Sequence, residues 1–138
     1  FLKENIQPLL DAEVLQFMGD KPGSIFLEGI TLFPADGHTR NMTFLKINLG
    51  ENTLIYCADL IPSSHHVSLP YIMSFDINPM KTLEEKQSLL DDAVEKNYIL
   101  IFEHDPIIEA ATIEKNERGR FKLKNKGNLD ELLNNARK

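Results

Sequence analysis

The sequence is short of cysteine, of basic charge and of long apolar runs, and each shortage removes a class of function. A single cysteine, Cys57, admits no internal disulfide, so nothing calls for an oxidising, secreted setting. No apolar run approaches the ~20 residues that span a bilayer. No basic segment followed by an apolar one opens the chain as a signal peptide would. With 15 basic against 21 acidic residues, the net charge is −6. Phosphate binding needs a basic face, so no nucleic acid and no anionic membrane surface is expected as a partner. A cytoplasmic location is the expectation these absences leave. Internal repeats, low-complexity tracts and linkers are lacking too.

What remains is an ordinary globular composition, 42% apolar and 26% charged over 138 residues. That suits one domain, or one lobe of a larger one, able to bury a core without staples. Gln7–Glu13 reads as a short helix opened by Pro8, and Val14–Met18 as a brief strand before a turn at Gly19–Gly23. Ile25–Leu27, Ile30–Phe33 and Met42–Leu49 are strand-like, and a turn at Gly50 leads into Thr53–Ala58. The continuous apolar run Leu54–Ala58 suits a strand covered on both faces. Leu60–Pro79 is a long, proline-punctuated segment. Thr82 with Glu85 forms a capping-box pattern for a helix with an apolar face of Leu83, Leu89, Leu90, Ala93 and Val94, ending near Asn97. Tyr98–Phe102 is another buried-type strand. A hairpin follows over Thr112–Lys115 and Arg120–Lys124, and Asn128 with Glu131 caps a short final helix. The order predicts an α/β fold with a mixed sheet and helices on one face.

Three polar residues share one placement. His38 follows Ile30–Phe33 through Pro34-Ala35-Asp36-Gly37, Asp59 ends Leu54–Ala58, and His104 follows Tyr98–Phe102 after Glu103. Strands in rough alignment would bring them to one sheet edge, as nitrogen and oxygen ligands suited to zinc or another first-row metal. Taken singly, each is more often a turn residue than a ligand. Ser63-Ser64-His65-His66 reads as a polar loop, because neighbours in sequence rarely share a triad geometry. Cys57 reads as core, Asp36 and Asp105 as turn or ligand-orienting residues, and Lys122, Lys124 and Lys126 as a solvated face.

The words around these residues occur in a telling order: Gly37-His38-Thr39, then Cys57-Ala58-Asp59-Leu60-Ile61-Pro62, then Leu69-Pro70-Tyr71-Ile72-Met73-Ser74-Phe75-Asp76, then Phe102-Glu103-His104-Asp105-Pro106. From about Pro8 to Leu123 the chain resembles hydrolases of the metallo-β-lactamase superfamily, in the branch of quorum-quenching lactonases and related esterases. The resemblance implies that residues 1–138 are the C-terminal part of one αββα metallo-β-lactamase-type domain. It implies His38 on a first metal ion, Asp59 bridging both and acting in catalysis, and His104 on a second. The ions would be two divalent metals, zinc first, and a hydroxide held between them would attack an ester-like carbonyl of a small-molecule substrate, a lactone as the first expectation. His65 and His66 would lie in the substrate-lining loop.

Two departures qualify this. The family's early His-x-His-x-Asp-His cluster is absent, which places it upstream of Phe1, an expectation in keeping with the lack of an initiator methionine. Three ligands divided between two ions leave each under-coordinated. The chain alone is therefore expected to be inactive, to bind metal weakly and to self-associate through the apolar face meant for its missing N-terminal half. The second departure is Pro62, which stands where such lactonases often carry a tyrosine three positions after the bridging aspartate, so the resemblance does not select the substrate. The alternatives are a non-catalytic binding module of the same fold, and a redox member of the superfamily.

Overall fold

The protein is described by a computed structural model that covers residues 2–18 and 21–135. Among the described residues the alternating and β-branched runs become seven strands in one mixed sheet whose spatial order follows the chain: β1 (Ser24–Leu27), β2 (Ile30–Ala35), β3 (Met42–Leu49), β4 (Asn52–Tyr56), β5 (Ile99–Ile101), β6 (Ala110–Lys115) and β7 (Phe121–Gly127). Neighbours are antiparallel except β4 and β5, which run parallel with Ile55 opposite Leu100. That one parallel pair needs a long crossover, and the chain supplies it with the segment after β4 and helix α2 (Pro79–Glu95). Among the described residues the other α-helices are α1 (Lys3–Asp11) and α3 (Leu129–Asn135).

Side chains alternate along β4, so Leu54 and Ile55 face opposite sides of the sheet. Ile55 packs with Leu100 and Ala111 beneath Leu89, Leu90 and Ala93 of α2. Leu54 packs with Ile99 and Ala110 beneath Leu132 of α3. The mixed sheet is as expected, but the helices do not share a face. The final helix crosses to the side of Leu54 because its own apolar residues find cover there. By register that second face continues from Leu54 through Ile47 and Ile30 to Leu27, which is 57% exposed.

The other differences lie at element ends. Helix α1 starts at Lys3, leaving Pro8 inside it, and Val14–Met18 forms no strand. Helix α2 begins earlier than the Thr82–Glu85 pattern predicts. Pro79, which needs no amide partner in a first turn, follows Asn78, whose Oδ1 accepts from the Lys81 amide. Thr82 is consequently an interior residue, 1% exposed, and Glu85 is free to act elsewhere. The final helix is capped as predicted, with Asn128 Oδ1 accepting from the Glu131 amide at 2.8 Å.

Candidate functional site

Strand β4 leaves the ladder at Cys57, whose buried thiol is pushed up to about 12 by desolvation. Ala58 then takes φ +46°, a left-handed conformation that a residue with a Cβ adopts only under constraint. The reversal turns Asp59 out along the sheet's edge. There its carboxylate stands between two imidazoles, with His38 Nε2 3.5 Å from Oδ2 and His104 Nε2 3.3 Å from Oδ1. The three residues predicted from their strand-end placement are therefore brought together. Their side chains are unequally exposed, at 13% for His38, 30% for Asp59 and 58% for His104.

His38 is the most firmly held. Its Nδ1 lies 2.8 Å from Oδ1 of Asp76, a carboxylate 1% exposed. The Phe75 ring meets its imidazole edge-on at 5.9 Å. The turn before it is fixed by Glu85, whose two carboxylate oxygens accept from the amides of Asp36 and Gly37 at 2.9 and 3.1 Å. Gly37 is required there, because a Cβ would run into the backbone and hydroxyl of Thr82. Beyond the turn, Ile77 N–H donates to His38 O and Asn78 N–H to Gly37 O, lacing the two loops together. Neither Asp76 nor Glu85 was picked out as a site residue from the sequence.

The loop between Asp59 and α2 forms one wall. A cleft of about 390 Å³ is lined by His38, Asp59, His104, Ser63, His66, Pro62, Met73 and Phe75. His66 faces it, with Nδ1 2.8 Å from Ser63 Oγ, whereas His65 is exposed to solvent and lies outside the lining. The Ser63–His66 contact forms although a plain polar loop was expected. Burial pushes the His66 imidazole down, with the Lys86 charge acting the same way, so it is neutral near pH 7. Tyr71 is 61% exposed and does not line the cleft.

Asp36 and Asp105 serve their turns. Asp36 Oδ1 accepts from the Asn41 amide, and Asp105 ties the segment after β5 to the Ser64 loop. Burial alone would raise the Asp105 carboxyl, but bonds from the Ser64 hydroxyl and the amides of Ile108, Ile107 and Ser64 hold it well below the usual range.

Beneath the loop lies Lys86, with no exposed surface, donating to the carbonyls of Ser68, Leu69 and Tyr71 at 2.8, 3.2 and 2.7 Å. Desolvation brings its ammonium down to about 8, against the opposing pull of Asp76.

As a metal site the donor set is divided. Among the described residues no three His, Cys, Asp or Glu side chains converge on one point. Instead there are two donor pairs sharing one carboxylate, one oxygen turned to each histidine. Such an arrangement fits a carboxylate shared between two ions and supplies only part of each ion's shell, since zinc takes about four ligands. A separate groove of about 440 Å³, between α2 and Phe33 and Phe44, contains none of these residues.

No family model matches the chain, and no curated protein does. Solved structures do. The hydrolase AbOPH of the beta lactamase superfamily superposes with TM-score 0.74 at 15% identity, over 88% of this chain and 41% of that one. AidC, a dizinc quorum-quenching lactonase in complex with a product, N-hexnoyl-L-homoserine, gives TM-score 0.70 at 21% identity, over 91% and 43%. This chain has the metallo-β-lactamase fold in part. A probable metal-dependent hydrolase from Staphylococcus aureus agrees, with TM-score 0.64 at 20% identity over 72% and 37%. The chain thus spans 37–43% of the length of these three proteins. Likeness at this identity fixes the fold, and the chemistry has to be argued from side chains. Among the described residues no helix is long and apolar enough to cross a membrane.

Proposed function

We propose that this chain is the C-terminal part of a dinuclear metal-dependent hydrolase acting on an ester-like bond, a lactone as the first substrate to try. The observation that carries the reading is Asp59, whose two carboxylate oxygens each face one histidine at the rim of the sheet. His38 would hold one ion, His104 the other, and Asp59 both, with zinc the first metal to test because imidazole and carboxylate suit it. Bound there, the ions would supply an activated water and a polarised carbonyl. Asp59 orients both ligand pairs. Met73 and Phe75 offer an apolar wall for the substrate's non-reacting part, and neutral His66 a hydrogen-bonding edge. His65, on the same loop, would meet only a substrate that extends out of the cleft.

This chain spans 37% of the probable metal-dependent hydrolase and 43% of the lactonase. We take the absent part to be the N-terminal half that supplies the remaining ligands. The chain alone is then inactive and binds metal weakly. Its sheet face from Leu54 out to Leu27 is left to pair with a second copy. Titrating zinc into the chain while following His38 and His104 by NMR tests this. Weak binding that disappears in Asp59→Ala supports the reading, and two tightly held ions per chain would overturn it.

A further inference from the structure

Among the described residues, His38 is the one candidate ligand whose far ring nitrogen meets a buried carboxylate. Asp76 reaches it across 38 residues of sequence, through a loop that returns from the cleft wall to the start of α2. Several independent contacts hold that return. Lys86 gathers the carbonyls of Ser68, Leu69 and Tyr71, and the amides of Ile77 and Asn78 bond to His38 and Gly37. Glu85, the neighbour of Lys86 on α2, grips the opposite side of the same turn. Two consecutive residues of one helix thus fix both loops that meet at His38. Asp76 Oδ2 is buried with no hydrogen-bond partner among the described residues, so the carboxylate's one bond is made to the imidazole. A buried polar atom without a partner calls for a physical explanation.

We propose that Asp76 is the positioning residue of His38: by accepting a hydrogen bond from Nδ1–H it fixes the imidazole as the Nδ1–H tautomer and aims the Nε2 lone pair at the space beside Asp59. The purpose of that aim rests on the metal-centre reading above, but the tautomer and the ring's orientation do not. A carboxylate behind a ligating imidazole raises the ligand's basicity and removes the rotational freedom it would lose on binding. His104, at 58% side-chain exposure, has no such support among the described residues, so the two histidines are unequally prepared.

The test is ring-nitrogen NMR of the metal-free chain at about pH 8, above the ordinary imidazole range. His38 is expected as the Nδ1–H tautomer, with His104 nearer the mixture of a free imidazole. In Asp76→Ala the ratio of Nδ1–H to Nε2–H at His38 should fall about tenfold or more, the scale of one charge-assisted hydrogen bond. The His66 signals and the Ile77 and Asn78 amides report whether the loop is still in place. A parent His38 that is Nε2–H, or a folded Asp76→Ala chain with an unchanged ratio, overturns the proposal. If the variant fails to fold, the parent's tautomer decides alone. Zinc added to the same sample separates the two readings. An Nδ1–H ring that ignores zinc counts against the metal centre and leaves the role of Asp76 supported.

Discussion

Replacing Lys86 by methionine removes a buried cation on which the cleft wall depends. Its ammonium donates to three carbonyls, and bonds to a charged group contribute about 1.5–3 kcal/mol each. Against that stands the cost of burial. Bringing the ammonium from 10.5 to about 8 corresponds, at 1.36 kcal/mol per unit, to about 3 kcal/mol. Methionine removes both, so the net loss is about 1–6 kcal/mol, centred near 3 kcal/mol. The assay is urea unfolding at neutral pH, read as a lower midpoint with the slope unchanged. Its pH dependence has a definite sign. The folded state holds the Lys86 proton less tightly than the unfolded state does. Between about pH 8 and 10.5 the unfolded chain therefore binds more protons, and stability rises with pH. The parent should gain up to about 3 kcal/mol over that window relative to Lys86→Met. A variant as stable as its parent, with a parallel pH profile, would refute the reasoning.

Gly37→Ala forces a methyl into Thr82, so either the His38 turn or the start of α2 has to move. A loss of about 1–3 kcal/mol is expected, with the His38 ring signals displaced, and an unperturbed His38 would contradict it. Cys57 has no exposed surface and its thiol is pushed up to about 12, so a thiol reagent at neutral pH should label it only as fast as the chain unfolds. Rapid native labelling would place it outside the core. Light scattering should find a dimer or larger species with rising concentration, and Leu27→Lys or Ile30→Lys should return the monomer. A monomer at every concentration would count against the exposed apolar face.

The strands were legible because β-branched and apolar residues cluster in runs bounded by glycine and asparagine. Met42–Leu49, for example, is strand β3 at the same bounds. The ligand candidates were legible because each follows such a run directly. What escaped was long-range pairing. Thr82 and Glu85 match a capping pattern locally, yet Glu85 spends its carboxylate on amides 48 and 49 residues away. The position of α3 escaped as well, since its apolar residues state that it must be covered but not by which face. Lys86 left a trace, as it lies at helical spacing on the stripe of Leu89, Leu90 and Ala93, where a cation has to find buried acceptors. Asp76, alone between Phe75 and Ile77, left a fainter one.

The measurement that bears most directly on the central claim is the coding sequence upstream of Phe1, over about 150 codons, one domain's length. A His-x-His-x-Asp-His cluster there would complete both ligand sets around Asp59, as the account predicts. An unrelated sequence, or a start codon directly before Phe1, would leave His38, Asp59 and His104 without partners and contradict it.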